Sequence, residues 1–443
     1  MKPPKPVGRP RRVSLWRYWC MFRQDILSAQ PDHLYRAKMA EFRTPFFRSF
    51  LINEPSLVRL VLNKRPADFP KSDRVTRGLA PLLGQSVFVT NGPTWERQRR
   101  IIDPSFEGGR IRDSFPAMLA AAEAAADRIE EGEVDIEALA SHATADVIFR
   151  TLFSLPIDEN LASETYDAFR AFQREQPIAI GAALIPWLPV RHKKLAREAA
   201  ERLRDLIGQL VERRLWELDA GNAPDDLATR IMTTRDPETE VTFSAEEMVD
   251  QVAIFFLAGH ETSAALLGWA LWCLAAAPEW GERVAEEAAD FAAAPGFARL
   301  SQLAVTRTVM RETLRLYPPV PMMVRQASGP EMFRKRRVRK GNQIVISPWH
   351  LGRHENIWDD PDAFNPARWE TEAGRAASRD GYLPFSSGPR VCPGAAFAMT
   401  EAAVLVAVLT ARFRFEVTEV PVPVAHLTVR SKDGIRVKVV RGE

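Results

Sequence analysis

Apolar residues recur at helical spacing over much of the chain, from about Thr94 to Ala277, in stretches such as "SFPAMLAAAEAAADRIEE" and "DIEALASHATADVIFRTLFS". Positions three and four apart share a helix face, so the pattern predicts helices. Before it, "PFFRSFLIN" at 45–53 reads as a short strand and "PSLVRLVLNK" at 55–64 as the helix that follows. After it, "QLAVTRTVMRETLRLY" predicts a helix ended by Pro318. From Val320 to Ser347 the period shortens, and "PMMVRQ" and "NQIVISPW" predict strands flanking a basic hairpin. The C-terminal "HLTVRSKDGIRVKVV" alternates like a hairpin turning at Asp433-Gly434.

One segment breaks its own pattern. Val252 to Ala277, "VAIFFLAGHETSAALLGWALWCLAAA", is apolar almost throughout, yet carries His260, Glu261, Thr262 and Ser263 near its centre. About 20 apolar residues suffice to cross a bilayer, but an acid midway along a span is costly. Ser244 and Glu247 form a capping box, with Phe243 and Met248 placed for a hydrophobic staple, and Pro278 ends the run. Such a helix spans roughly 45–50 Å, more than a bilayer core requires. Its charged first turn favours the buried central helix of a water-soluble body over a transmembrane segment. With no internal repeat and no Pro-, Gly- or Ser-rich linker, the expected fold class is mainly α with small β-sheets (α+β). A single domain, 13–443, should follow a basic, proline-rich, disordered leader, 1–12.

Composition narrows the function little. The chain has 443 residues, is 46% hydrophobic and 26% charged, and carries a formal net charge of +3. That is ordinary globular usage and no electrostatic signature of nucleic-acid binding. The run "RKRRVRK" from Arg334 lacks interleaved aromatics that would stack bases. Three scattered cysteines, Cys20, Cys273 and Cys392, give no disulfide framework and no zinc pattern, which points to a reducing, cytoplasmic setting. No C-x-x-C-H or H-E-x-x-H occurs, arguing against covalent haem and against a zinc hydrolase.

Chemistry concentrates at Phe385 to Gly394, "FSSGPRVCPG", just before the apolar helix "AAFAMTEAAVLVAVLTA". The spacing is F-x-x-G-x-R-x-C-x-G, a loop that offers one sulfur at a helix N-terminus. The positive end of a helix favours a thiolate. Pro393 suits a first helical turn, Gly388 permits a tight bend, Phe385 can shield the sulfur, and Arg390 brings positive charge.

This loop resembles the haem-binding signature of the cytochrome P450 family, the haem-thiolate monooxygenases, and further motifs follow in that family's order from about residue 40. The resemblance implies haem b with Cys392 as the axial ligand, whose thiolate favours O–O cleavage. "WERQR" resembles the family's W-x-x-x-R, which implies propionate contacts from Trp95 and Arg99; Arg325, Arg390 and His354 are further candidates. Glu312 and Arg315 of "RETLR", with Arg368 of "FNPARW", resemble the family's buried triad, with a structural role in holding the cysteine loop. "AGHET", Ala258 to Thr262, matches the oxygen-activation motif A-G-x-[DE]-T. The resemblance implies that Gly259 loosens the helix over the haem, that Thr262 donates a hydroxyl proton toward dioxygen, and that Glu261 relays protons from solvent. Cys273 reads as packing.

Substrate contacts are expected from Leu79, Leu82, Val87, Phe88, Phe255, Ala258, Val320, Met322 and Met323, with 178–190 lining an access channel. The substrate should be hydrophobic. The chain shows no dinucleotide fingerprint and no ferredoxin-type cysteine cluster. Electrons from NAD(P)H should therefore arrive through a separate ferredoxin or flavodoxin and its reductase, docking at Arg97, Arg100, Arg110 and Arg112, with the enzyme a monomer. Other readings of the same cofactor are a peroxide-driven peroxygenase, a haem isomerase, and a haem-based sensor or carrier.

Overall fold

Ser244 caps the central helix in both directions: its hydroxyl accepts from the Glu247 N–H at 3.2 Å, and the Glu247 carboxylate accepts from the Ser244 N–H at 2.9 Å. From that cap the chain runs as an α-helix over Ala245–Phe255, widens into a π turn at Phe256–His260, and resumes over Glu261–Ala276. Pro278 then opens the next helix, Pro278–Ala293. Because its apolar residues lie all round, this helix must be enclosed. It is packed by the helices Ile136–Phe153, Ala304–Leu316 and Ala395–Arg412. Trp269 is fully buried and stacks on Tyr317 with ring centroids 3.9 Å apart. Among the described residues two helices are long and apolar enough to cross a membrane, Ala245–Ala276 and Ala395–Arg412, and most of each is covered by the rest of the protein.

These statements come from a computed structural model that describes residues 1–10, 12–43, 48–174 and 194–442. Among the described residues helices dominate, with four small sheets at the periphery. The largest sheet orders Met39–Arg43, Arg48–Ile52, Gln343–Ile346 and Met323–Gln326, antiparallel except where Arg48–Ile52 runs parallel to Gln343–Ile346. Its first strand carried no clear alternation in the sequence. The basic hairpin forms as Glu331–Phe333 and Arg336–Val338, with Arg334 and Lys335 at positive φ in its turn.

Two expectations are corrected. The C-terminal stretch is not one hairpin: Val429–Ser431 pairs with Pro423–Ala425, whereas Arg436–Arg441 lies between Gly132–Asp135 and Phe413–Val417. The Asp433-Gly434 bend therefore passes the chain between two sheets, and alternation alone does not name a partner strand. The leader is extended but not free of the body. Arg9 bridges Pro31, Lys5 pairs with Asp362, and the buried Tyr317 hydroxyl donates to the Pro4 carbonyl at 2.7 Å. Proline's fixed φ keeps such a segment straight, so it can follow a surface groove with little entropy loss.

The acid and arginine of "RETLR" face one another on Ala304–Leu316. Arg315 donates to both Glu312 oxygens at 2.9 and 2.8 Å, Arg368 joins at 2.9 Å, and the Trp369 indole adds a contact at 3.1 Å. The two guanidiniums also bind the carbonyls of Gly352, Asp359, Asp360, Pro361 and Ala363. The triad thus pins the segment from 352 to 363, upstream of the cysteine loop, and does not touch that loop. A buried ion pair that loses one partner leaves an uncompensated charge. Arg315→Leu should therefore lower unfolding free energy by about 3–5 kcal/mol, read as a lower urea midpoint. Arg315→Lys should recover little, because one ammonium cannot reach both carboxylate oxygens and three carbonyls.

Candidate functional site

Between the central helix and the helix Ala395–Arg412 lies a cavity of about 1430 Å³, and the conspicuous sequence motifs converge on it. Cys392 opens onto its floor from a loop closed by the Cys392 N–H donating to the Phe385 carbonyl at 2.9 Å. Gly388 sits at φ +72°, and a Cβ there would lie 2.0 Å from the Leu62 carbonyl oxygen. Only glycine fits both the backbone and the space. Ser387 bonds Asn63 at 2.9 Å, and Arg99 donates to the Val391 carbonyl at 2.9 Å. The loop is therefore fixed from both sides. Burial raises the Cys392 thiol's pKa, outweighing the Gly394 N–H and the cations Arg99 and Lys71, which favour the thiolate. Burial thus works against the helix terminus, which favours a thiolate.

On one wall the cavity gathers positive charge. Trp95, Arg99, Arg325 and Arg390 line it, with the Arg390 guanidinium 4.2 Å from the Trp95 ring centroid. Burial pushes Arg325 and Arg390 down to about 10. Lys71, which the sequence reading missed, lines the same wall, because a β-bridge to Arg325 carries it there. Its ammonium lies over the Phe88 ring at 3.5 Å, and burial and the neighbouring arginines hold its pKa well below the ordinary lysine value. Among the described residues no carboxylate pairs with Lys71, Arg325 or Arg390, and Arg390 Nη1 has no hydrogen-bond partner. A sulfur, apolar walls and cations awaiting anions are the donor set that haem b, with two propionates, would satisfy. His354 does not belong to it. It is buried beside Ala37, away from the cavity lining, with Nδ1 accepting from the Asn356 N–H at 3.3 Å.

Opposite the sulfur, Ala258, Gly259 and Thr262 line the cavity at the π turn. The Thr262 hydroxyl donates to the Ala258 carbonyl at 2.5 Å, using the hydrogen-bond slack that the wide turn provides. A Cβ on Gly259 would meet Ile148 at 2.5 Å, so this glycine lets the central helix close against Ile136–Phe153, not against the cysteine side. His260 is turned away as well. It is fully enclosed between Tyr166 and Phe169, bonded to the Ser141 hydroxyl at 2.9 Å, and pushed down to about 3 by burial.

Glu261 departs from expectation. It is buried but does not line the cavity; its Oε1 takes a hydrogen bond from Thr428 at 2.6 Å and an ion pair from Arg430 at 2.7 Å. A different acid lines the cavity. Glu401, on the helix after the cysteine, accepts from the Ser263 hydroxyl at 2.7 Å, while its other oxygen is buried without a partner. Burial pushes Glu401 up to about 8. Nothing in the sequence marked it beyond a lone acid in an apolar helix.

Leu79, Val87, Phe88, Phe255, Val320, Met322 and Met323 line the cavity, and Leu82 does not: it packs into the core. Ile148, Leu152, Leu266 and Phe397 complete the apolar walls, and Tyr18 and Phe22 of Leu15–Gln24 reach its outer end. The expected channel segment, 178–190, lies outside the described residues. The basic face is reduced too. Arg97 pairs with Glu247 at 2.6 Å and Arg100 with the fully buried Asp236 at 2.5 Å; Arg110 and Arg112 are exposed, Arg110 facing Asp113 at 4.0 Å.

The sequence model of the cytochrome P450 family matches residues 27–439. The chain is 32% identical over 419 residues to the cyclooctat-9-en-7-ol 5-monooxygenase of Streptomyces melanosporofaciens, an alignment covering 93% of this chain and 87% of that protein. Cyclooctatin synthase of the same organism is 30% identical over 413 residues, 90% and 86% of the two chains. A cytokinin hydroxylase of Arabidopsis thaliana is 27% identical over 400 residues, 87% and 77%.

The raised pKa of Glu401 has a consequence for stability. The folded chain keeps a proton between pH 4.5 and about 8 that the unfolded chain releases. The stability this group contributes is complete below that window and is lost as pH rises through it. Glu401→Gln should remove a slope of about 1.4 kcal/mol per pH unit across the window. The measurement is unfolding free energy against pH for both proteins; parallel curves would contradict the assignment.

Proposed function

Because this chain belongs to the cytochrome P450 family, and so is an oxidoreductase, we propose that it inserts one atom of O2 into a C–H or C=C bond of a hydrophobic organic substrate. The observation that carries this reading is that Cys392 and Thr262 face one cavity from opposite helices, with a cluster of cations at its side. Bound haem b would supply the dioxygen chemistry: one oxygen atom goes to substrate, the other to water with two electrons and two protons.

The chain's own groups have separate tasks. Cys392 would hold the haem iron through its sulfur, and its loop, rigid through Phe385, Gly388 and Gly394, sets where that sulfur stands. Arg325, Arg390 and Lys71 would neutralise the propionates, with the Trp95 indole N–H and Arg99, which already pairs with Asp103 at 2.6 Å, as further donors. Thr262 holds a proton at Oγ1, between the Ala258 carbonyl and the cavity, where it can turn toward the cavity. Glu261 holds the acid that replenishes it. The apolar walls exclude water and position substrate by shape, which supports an apolar compound such as a terpenoid, fatty acyl, steroid or aromatic molecule. Two bacterial relatives bear the names cyclooctat-9-en-7-ol 5-monooxygenase and cyclooctatin synthase, in keeping with that class.

Electrons come from NAD(P)H through a ferredoxin or flavodoxin and its reductase. Arg110 and Arg112 remain available on the surface to meet an acidic donor. The enzyme works as a cytoplasmic monomer. Hydrogen peroxide sustaining full turnover without any donor would favour the peroxygenase reading.

Two substitutions test the assignment. Cys392→Ser should abolish the red-shifted carbon-monoxide absorption of thiolate-ligated ferrous haem, and persistence of that band would remove the ligand role. Thr262→Ala should divert electrons from product to hydrogen peroxide, by roughly the 10²-fold or more that a positioned proton donor contributes. Unchanged yield of product per electron pair would refute the role of Oγ1.

A further inference from the structure

Glu261 stands beside Thr262 in sequence, yet its carboxylate turns out of the cavity and into the C-terminal sheet. A carboxylate that is to deliver protons to the cavity needs a group that touches both. Among the described residues Thr428 does so. Its Oγ1 donates to Glu261 Oε1 at 2.6 Å, and Thr428 itself lines the cavity. Arg430 pairs with the same oxygen at 2.7 Å but is not part of the cavity lining; about two-fifths of its side chain is exposed to solvent (39%).

We infer that Thr428 is the relay through which Glu261 passes protons into the cavity. This inference rests on the monooxygenase reading above. A hydroxyl is donor and acceptor at once, so it can hand its own proton to a cavity water while taking another from the carboxyl group. The balance is one proton moved from solvent to cavity, with Thr428 returned to its initial state and no electron transferred. The carboxylate is reloaded from the side where Arg430 meets solvent.

The surroundings fit this role. The backbone holds Thr428 in place, since the next residue's N–H donates to the Pro319 carbonyl at 2.9 Å on the cavity rim. Glu261 is faced by Arg430 and, through charge, by Glu137, whose Oε1 accepts from the Ser431 N–H at 3.3 Å. Burial pushes Glu137 up to about 7, partly opposed by Arg430, and Asp135 lies near it. A second acid that exchanges protons near neutrality thus stands behind the first.

The test compares Thr428→Val, Thr428→Ser and Glu261→Gln in the holoenzyme with a surrogate donor. Thr428→Val keeps the shape and removes the hydroxyl. It should raise peroxide per electron pair several-fold and enlarge the solvent deuterium effect on product formation, while Thr428→Ser restores both. A role confined to packing would move neither in this pattern. In thermal unfolding, the Tm losses of Thr428→Val and Glu261→Ala should be non-additive, because each removes the same hydrogen bond. Additive losses would overturn the contact. If Glu261→Gln uncouples turnover and Thr428→Val does not, the relay is overturned and the monooxygenase reading stands. If neither these variants nor Thr262→Ala alters coupling, both fall.

Discussion

A backbone hydrogen bond, from the Cys392 N–H to the Phe385 carbonyl, closes the loop on which the whole site depends. The loop cannot relax, because Gly388 is pressed to the Leu62 carbonyl at a φ that side chains avoid. Ser387 and Val391 are gripped on either side by Asn63 and Arg99. One sulfur is thereby held against one cavity by groups that take no part in its chemistry.

Around this fixed point the protein accumulates electrostatic cost. Lys71, Arg325 and Arg390 stand together under burial strong enough to depress all three, with no acid among the described residues to balance them. Bringing a dianion among them replaces mutual repulsion by charge-assisted hydrogen bonds. Cofactor affinity and the local stability of this wall are then one quantity, since whatever binds the folded chain alone stabilises it. Glu401 is the opposite solution in the same cavity: an acid that avoids the cost by keeping its proton.

Contiguous patterns were legible in the sequence. The cysteine loop, the A-G-x-E-T run and the E-x-x-R pair each fit within ten residues, so local spacing fixed their geometry. The Ser244 box and Pro278 marked the central helix to within one residue. Directions across the fold were not legible. Glu261 faces Thr428 and Arg430, His354 faces Ala37, and Leu82 faces the core, each decided by a partner remote in sequence. Lys71 entered the site through a single bridge to Arg325, and the charges of Arg97 and Arg100 were taken up by pairs with Glu247 and Asp236. The last strands alternated correctly, but period two does not say which sheet will take them. The leader was read as free because composition reports solubility and not the partners, Tyr317 and Asp362, that Pro4 and Lys5 meet on the body.

After the π turn, three successive residues leave the central helix about 100° apart. Glu261 meets the C-terminal strand, Thr262 the cavity, and Ser263 the acid on the cysteine helix. Their identities are therefore inseparable from angular register. One inserted or deleted residue upstream would preserve a greasy helix of nearly the same composition, while rotating alcohol, acid and serine each into a neighbour's sector. The number of residues between the Ser244 cap and Thr262 is thus itself part of the site.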